Sequence, residues 1–256
     1  KSYKKTTYYI TGEKESEFNF VKSSPGKGIS YLWYLGAPEK TFEREGDYRS
    51  WYKNGQIKSQ SSYINGVENT KNNKWYESGK LESESNFVNG KQEGKSYEWY
   101  ENGQLKSECN YLNGRYNGEI ITYWPNGQIK RKDQYLKGIF ENGFCYDSLG
   151  NEIKHFELEV MPQYKGGDKQ LLKDISNNLK YPVNSRDAGI QGRIIVRFAV
   201  DKIGDVTDLE VLAGINEELN FEALRVIRTL KKFEPGRYDG EIVQVYYMIP
   251  VGFNLQ

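Results

Sequence analysis

Trp99-Tyr100-Glu101-Asn102-Gly103-Gln104-Leu105 is the clearest copy of a heptapeptide that occurs four times in the first half of this chain. Similar copies begin at Trp51, Trp75 and Tyr123, so that successive copies are 24 residues apart. A constant period of this length is typical of a repeat array, in which each unit packs mainly on its neighbours. Such arrays usually offer long surfaces rather than catalytic clefts.

Glycines recur with the same period around the heptapeptide. One set precedes it by five residues: Gly46, Gly94 and Gly118. A second set closes the units: Gly66, Gly90, Gly114 and Gly138. Gly28 and Trp33 indicate a further unit upstream with a shortened hairpin at 34–36, and residues 146–150 resemble a degenerate last copy. Degenerate ends are expected because terminal repeats cap an array.

Each unit is predicted to be a β-hairpin. The heptapeptide places Asn-Gly, or Ser78-Gly79, between segments rich in aromatic and β-branched residues. This dipeptide favours a two-residue type I′ turn, in which both central residues have positive φ. We therefore predict a strand, a type I′ turn at this dipeptide, a second strand and a connection that contains the closing glycine.

The second strand of each unit alternates between two faces. In the first complete unit one face carries Ile57, Ser59, Ser61 and Tyr63. Later units keep this order of large, small, small and large side chains, and Cys109 takes a small position, where we expect it to be buried. The fourth unit has Arg131 and Asp133 in the small positions, so we expect that unit to be either frayed or paired.

The second aromatic residue of the heptapeptide forms a regular row, which consists of Tyr52, Tyr76, Tyr100 and Trp124. One interpretation is an aromatic surface that binds a ligand. The other is a stacking seam, because a hairpin array has little other core and aromatic pairs stabilise by ~0.5–1.5 kcal/mol beyond area burial.

The pattern G-x4-[WY]-[WY]-x-[NS]-G, repeated in register between Gly28 and Gly150, resembles the MORN-repeat family in its YwqK-like bacterial variant. The resemblance implies a β-hairpin solenoid that serves interaction or scaffolding and carries no catalytic chemistry.

Composition excludes several classes of function. Lys plus Arg (36) nearly balances Asp plus Glu (35), which disfavours nucleic acid as a partner. No apolar run approaches the ~18 residues of a membrane span, so any membrane association would need a segment absent from this chain. The lone His155 and two cysteines form no metal motif, and no phosphate loop or catalytic constellation is present. We therefore expect no enzymatic activity, no cofactor and no metal.

The second half has a different pattern, and we predict a domain boundary between residues 1–152 and 153–256. Predicted strands cover 156–160, 194–200, 206–211 and 242–255. Asp168 is the predicted N-cap of a helix to about residue 178 with Leu171, Leu172, Ile175 and Leu179 on one face, and a second helix is marked by Leu219, Ala223, Ile227 and Leu230. The expected fold is a mainly β hairpin-repeat solenoid followed by an α+β domain with two helices on a three-stranded antiparallel sheet.

From Met161 to Gln256 the chain resembles the TonB C-terminal domain. The residues that carry the resemblance are Tyr181-Pro182, Ala188-Gly189-Ile190-Gln191-Gly192, Val196-x-Phe198-x-Val200-Asp201, Gly204, Ala223-Leu224 and Phe233-Glu234-Pro235-Gly236. The resemblance implies a domain in the periplasm of Gram-negative cells that captures a short segment of an outer-membrane transporter as a strand beside its own last strand.

Pro250 gives a second reason to consider strand addition. Proline cannot donate to a β-ladder, which indicates that the last strand lies at an edge. The predicted partner-binding residues are Val243, Gln244, Val245, Tyr246, Tyr247, Met248 and Ile249. An alternative interpretation is that Pro250 only prevents edge-to-edge aggregation.

Two functions follow from the combined pattern. The first is a periplasmic, non-enzymatic adaptor whose C-terminal domain captures an extended peptide of an outer-membrane partner. The alternative is a TonB-type energy transducer with a membrane anchor upstream of Lys1, since a chain that begins at Lys1 rather than Met is consistent with a removed signal peptide or anchor. With 7 prolines in all, the chain lacks the long Pro-rich spacer implied for a transducer, which favours the adaptor.

Overall fold

A computed structural model describes residues 2–22 and 42–255. The described chain forms two compact units, which end at His155 and begin at Phe156 respectively. The division of the chain into domains 1–152 and 153–256 stays a prediction. The upstream unit expected around Gly28 and Trp33 lies outside the described residues.

The first unit is one long antiparallel sheet of 14 strands within the described residues. The strands are β1 (Ser2–Tyr8), β2 (Lys14–Lys22), β3 (Phe42–Trp51), β4 (Ile57–Ile64), β5 (Val67–Glu68), β6 (Lys71–Trp75), β7 (Leu81–Val88), β8 (Lys91–Gln92), β9 (Gly94–Trp99), β10 (Leu105–Leu112), β11 (Arg115–Tyr123), β12 (Ile129–Leu136), β13 (Ile139–Tyr146) and β14 (Glu152–Ile153). They pair in chain order, except that the short β5 and β8 lie beside β4 and β7. The predicted hairpin solenoid is confirmed.

The turn within the heptapeptide differs from the prediction. Only Gly55 has positive φ (82°) there, and Tyr52 N–H donates to Gln56 O at 2.8 Å across a three-residue loop. Asn54 instead accepts a 2.9 Å hydrogen bond from Gln56 N–H through its side chain. This geometry is a type I turn followed by a left-handed glycine, so the predicted type I′ turn at this place is wrong.

The type I′ turns lie at the other end of each hairpin. Asn65 and Gly66 have φ of 51° and 78°, and their flanking residues Ile64 and Val67 pair directly. The same two positions have positive φ in every later repeat, at Asn89-Gly90, Asn113-Gly114 and Lys137-Gly138. These turns also bind the preceding repeat, because each turn glycine donates its N–H to a carbonyl oxygen there, as Gly114 does to Gln92 at 2.9 Å.

Some of the small side chains of the alternating column are buried, among them Cys109 as expected, whereas Ser59, Ser83 and Ser85 are half-buried. Ser61 is 4% exposed, Ser107 4% and Cys109 7%. In the fourth unit Arg131 and Asp133 are completely enclosed and form an ion pair of 2.6 Å, so this unit is paired rather than frayed. A Cβ atom on Gly143 would lie 2.0 Å from Asp133 Oδ1, so the neighbouring strand makes room for this carboxylate with a glycine.

The second unit contains three helices and eight strands within the described residues. They are β15 (Glu159–Val160), β16 (Gln163–Tyr164), α1 (Gly167–Asn178), α2 (Val183–Asp187), β17 (Gly192–Val200), β18 (Val206–Ala213), α3 (Glu217–Arg228), β19 (Phe233–Glu234), β20 (Gly236–Tyr238), β21 (Glu241–Val243) and β22 (Val245–Phe253). The main sheet has the order β18-β17-β22, and all of its pairs are antiparallel. This agrees with the predicted α+β class.

Both long helices pack on the main sheet through apolar side chains. Leu219, Ala223 and Ile227 of α3 are fully buried in a core with Phe198 and other residues of β17. Asn216 caps α3 by accepting a 2.9 Å hydrogen bond from Leu219 N–H.

The start of α1 corrects two predictions. Gly166, not Asp168, is its N-cap, and Asp168 lies in the first turn. Gly166 and Gly167 both have positive φ (93° and 74°), a conformation that glycine adopts without steric cost. The helix therefore begins earlier than predicted.

The predicted apolar face of α1 is correct for three of its four residues. Leu171, Ile175 and Leu179 face the core, whereas Leu172 is 55% exposed.

The predicted single strand over 242–255 is interrupted at Gln244. Residues before it form β21, which pairs with β20 in a separate three-stranded sheet, and residues after it form β22. Val243 pairs with Gly236, where an added Cβ would lie 2.7 Å from Val245 Cγ2. The absence of a side chain at Gly236 therefore leaves room for Val245, where the chain passes from one sheet to the other.

Candidate peptide-binding edge

The edge of the main sheet is formed by β22. This strand pairs with β17 over nine consecutive residue pairs, from Val200/Val245 to Gly192/Phe253, without a bulge. No strand lies on its other side among the described residues. The edge position that Pro250 predicts is therefore present, and the strand is regular enough to serve as a template for another strand.

Pro250 also indicates which main-chain groups face outward. In an antiparallel strand the N–H and C=O of one residue point to the same side, and the side alternates from residue to residue. A proline within a sheet is tolerated where its nitrogen faces away from the paired strand, because it then removes no ladder hydrogen bond. By this alternation the N–H groups of Tyr246 and Met248 face away from β17.

The side chains of the intervening residues hold β22 to the core. Tyr247 stacks on Phe198 with ring centroids 5.6 Å apart and an interplanar angle of 11°, and its hydroxyl donates to Pro162 O at 2.6 Å. Burial raises the pKa of the Tyr247 hydroxyl, with a further contribution from Asp168. Ile249 and Phe253 are buried in the same core. The backbone of the edge is thus fixed in place before any partner binds.

The opposite face of β22 is exposed and carries Tyr246 and Met248, which are 54% and 55% exposed. The Tyr246 hydroxyl donates to Asp208 Oδ2 at 3.1 Å, and the Gln244 amide donates to the same oxygen at 2.9 Å. The Arg197 guanidinium lies 5.4 Å from the centroid of the Tyr246 ring. A strand added at this edge would place its alternate side chains beside Met248 and this cluster.

The structure distributes the seven predicted partner-binding residues over three places. Val243 belongs to β21, and Gln244 lies between the strands, where its side chain supports Tyr246. Val245, Tyr246, Tyr247, Met248 and Ile249 belong to β22, which continues four residues further to Phe253. The continuous edge is therefore shifted toward the C-terminus relative to the prediction.

Arg197 and Asp208 belong to the candidate site but were not predicted from the sequence. Strand alternation places Arg197 on the face of β17 away from the core, yet only the register, in which Arg197 opposes Met248, brings it beside β22. Asp208 has a φ of 50° at an irregular place in the pairing of β18 with β17, and no local pattern identifies such a position.

The aromatic row of the array is fastened by hydrogen bonds. The hydroxyl groups of Tyr52, Tyr76 and Tyr100 donate to the main-chain oxygens of Trp75, Trp99 and Tyr123, at 2.8, 2.6 and 2.7 Å. The Trp124 indole donates to Tyr146 O at 3.0 Å. Burial raises the pKa of the Tyr52 and Tyr76 hydroxyls. These contacts give the row a role in joining repeats, and a ligand-binding role stays a prediction.

His155 contacts the buried pair of Arg131 and Asp133 in the fourth unit. Its Nε2 atom lies 2.9 Å from Asp133 Oδ1, and its ring stacks on Phe140 with centroids 4.8 Å apart. Among residues 2–22 and 42–255 no three His, Cys, Asp or Glu side chains are grouped as ligands for a metal ion. Nor does that part of the chain contain a helix with the length and hydropathy needed to cross a bilayer.

Comparison with known proteins gives two family matches. Residues 177–255 match the family described as "Gram-negative bacterial TonB protein C-terminal". Residues 44–65, 73–89, 92–113 and 116–137 match the family described as "MORN repeat variant".

Among solved structures, the NMR solution structure of the Helicobacter pylori TonB C-terminal domain is 27% identical to the matched part. That match covers 34% of this chain and 79% of the other, with a TM-score of 0.29. No curated protein matches the chain.

Proposed function

We propose a binding function for this chain, which joins variant MORN repeats to a TonB C-terminal domain. Both families are non-catalytic families of protein interaction, and their presence supports a TonB-like interaction role. The chain acts as a periplasmic adaptor of a Gram-negative cell. Its C-terminal domain captures an extended segment of an outer-membrane protein, such as a transporter, as an additional strand beside β22.

The observation that carries this proposal is the regular, unpaired edge of β22. Its nine residues are held in register by β17, by the partly buried Tyr247 and by the buried Phe253, so little order would have to be gained on binding. In strand addition the main-chain hydrogen bonds supply affinity, and pockets for alternate side chains supply selectivity. The exposed face with Met248, Tyr246 and Arg197 favours partner segments with apolar or aromatic side chains at alternate positions.

The decisive variant is Met248→Pro in the full chain. It removes one outward N–H and adds the proline ring at the edge, so we expect it to abolish the capture of outer-membrane proteins from a detergent extract. Met248→Ala is the matched control, because it shortens the same side chain and keeps the N–H. The control should retain capture.

Two results would contradict strand addition at β22. The first is equal capture by the Met248→Pro variant and the unmodified chain. The second is equal loss in the proline and alanine variants, which would assign binding to the side chain. Thermal melts of both variants check that the domain remains folded. Hydrogen exchange of the Met248 amide, which should slow when the captured protein is present, reads the new main-chain bond directly.

A further inference from the structure

The outer surface of α3 carries a compact patch that the edge strand does not use. Glu218, Phe221, Arg225 and Arg228 are spaced by three, four and three residues, so they form one stripe along the helix, opposite the side that enters the core. Phe221 is 70% exposed and Val183 of the neighbouring α2 is 58% exposed. Phe221 and Pro182 border a shallow groove of about 530 Å³.

Arg225 is held rigidly within this patch. Its Nε and one terminal nitrogen each donate to Glu222 at 2.7 Å, and that terminal nitrogen also donates to Asn178 O at 2.6 Å. The side chain nevertheless remains 42% exposed. A planar guanidinium that is fixed on one side and open on the other is a good stacking surface for an aromatic ring.

The patch has charge of opposite sign at its two ends. Glu218 lies near the N-terminus of α3, and hydrogen bonds from Asn184 and Ser185 lower the pKa of its carboxyl, so it is anionic at neutral pH. Arg228 is the last helical residue, roughly 15 Å away at ~1.5 Å per residue. Phe221 and Arg225 lie between them on the same stripe of the helix.

The stripe on α3 is complementary to the same stripe on a second helix that runs in the opposite direction. When two copies of α3 lie antiparallel about a two-fold axis near residue 223, position 221 of one copy faces position 225 of the other, and position 218 faces position 228. Closed two-fold contacts of this kind are the commonest in protein oligomers. Phe221 then covers the exposed guanidinium of the second copy's Arg225, and each Arg228 meets a carboxylate.

We propose that this patch binds a second copy of the same chain and forms a two-fold dimer through antiparallel α3 helices. A single helix pair is small beside the roughly 1,200–2,000 Å² of a stable interface, so the dimer is reversible. Because the patch lies on the outer side of α3, it leaves the main-chain groups of β22 accessible. A dimer would therefore present two capture edges, which raises affinity for a partner with repeated segments.

Sedimentation of the full chain over a wide concentration range tests the proposal. The unmodified chain should show a reversible monomer–dimer equilibrium. Phe221→Lys should raise the dissociation constant by about 30-fold or more, as expected for an aromatic residue at the centre of an interface. Phe144→Lys is the matched control, because Phe144 is an exposed aromatic residue (49%) of the array, and it should dimerise like the unmodified chain.

Arg228→Glu provides a second, independent variant at a solvent-exposed position. It places two acidic groups opposite each other, so the dimer should weaken, and the loss should diminish at high salt. A chain that remains monomeric up to its solubility limit overturns the proposal. So does a dimer that Phe221→Lys leaves intact or that Phe144→Lys disrupts equally. Circular dichroism of each variant confirms that α3 is still formed.

Discussion

The hydroxyl of Tyr76 donates a 2.6 Å hydrogen bond to the main-chain oxygen of Trp99, which lies 23 residues further along the chain. Equivalent bonds join the other repeats, so the second aromatic residue of each heptapeptide holds the first aromatic residue of the next. Together with the turn glycines, which bind the preceding repeat, these bonds join neighbouring hairpins at both ends of their strands.

We expect Tyr76→Phe to destabilise the array by about 1 kcal/mol, because a half-buried carbonyl oxygen loses its partner while the ring remains. All five tryptophans precede residue 125, so tryptophan fluorescence during urea unfolding reports on the array alone. Tyr97→Phe is the control. Tyr97 lies in β9 of the same sheet, and among the described residues its side chain has a ring contact with Trp99 but its hydroxyl has no hydrogen-bond partner. Equal effects of the two substitutions would assign the loss to something other than the bond to Trp99.

The period of the array could be read from the sequence, but its turn types could not. The first complete repeat contains two Asn-Gly dipeptides, Asn54-Gly55 and Asn65-Gly66, and both satisfy the local signal for a type I′ turn. They differ in the Asn side chain. Asn54 bonds to the main chain of its own loop and keeps negative φ, whereas Asn65 adopts a φ of 51°. Which outcome occurs depends on the pairing of the flanking strands, which a dipeptide does not encode.

Lys137 allows a direct test of the turn assignment. It has a φ of 51° at the position that is occupied by Asn in the other three repeats. Asn tolerates this left-handed conformation better than Lys, so Lys137→Asn should stabilise the array by about 1 kcal/mol. Lys91→Asn is the control, since Lys91 follows a type I′ turn with ordinary φ, and it should give no gain. A gain of equal size in both variants would show that backbone strain at residue 137 is not the cause.

The enclosed pair of Arg131 and Asp133 shows another limit of sequence reasoning. Their presence in a column of small residues indicated pairing as one of two outcomes, but not the partners outside the strand. His155 comes from beyond the repeat, 22 residues from Asp133, and Gly143 supplies the space for the carboxylate. Contacts of this separation depend on strand register, which the column itself does not reveal.

We expect Asp133→Ser to destabilise the array by about 3–5 kcal/mol, because it leaves the Arg131 charge buried without its carboxylate. The double variant with Arg131→Ser removes both charges and restores the serine pattern of other repeats, so it should cost less than the single change. Asp47→Ser, at an exposed carboxylate of the same array, should cost at most about 1 kcal/mol. A double variant less stable than the single one would contradict the idea of an uncompensated charge.

For the candidate site, the edge position of the last strand was predictable and its extent was not. Residues 242–249 are almost all β-branched, aromatic or otherwise apolar, and the single Gln244 does not interrupt this run, so the sequence reads as one strand from 242 onward. The break arises because Val243 finds its partner in Gly236 and Val245 finds its own in Val200. The residue pattern of a strand indicates which face of the sheet each side chain occupies. It does not indicate which sheet supplies the neighbouring strand.

Glu222 makes the stability of the C-terminal unit depend on pH. Burial alone would raise the pKa of its carboxyl, but hydrogen bonds from Arg225 and from Lys180 N–H outweigh burial, and the pKa lies below its ordinary value. A carboxyl with a lowered pKa in the folded state contributes stability above its unfolded pKa of about 4.3, and that stability is lost as pH falls through the folded pKa.

Glu222→Gln should therefore destabilise the unit by about 1–3 kcal/mol at neutral pH, and the difference from the unmodified chain should shrink as pH falls below about 4. Unfolding followed by circular dichroism at helical wavelengths measures this unit, because the helices of the described chain all lie in it. Glu217→Gln, at an exposed carboxylate of the same helix, should show no comparable gap. A gap for Glu222→Gln that stays constant between neutral and acidic pH would mean that lost packing, rather than the lost charge, destabilises the unit.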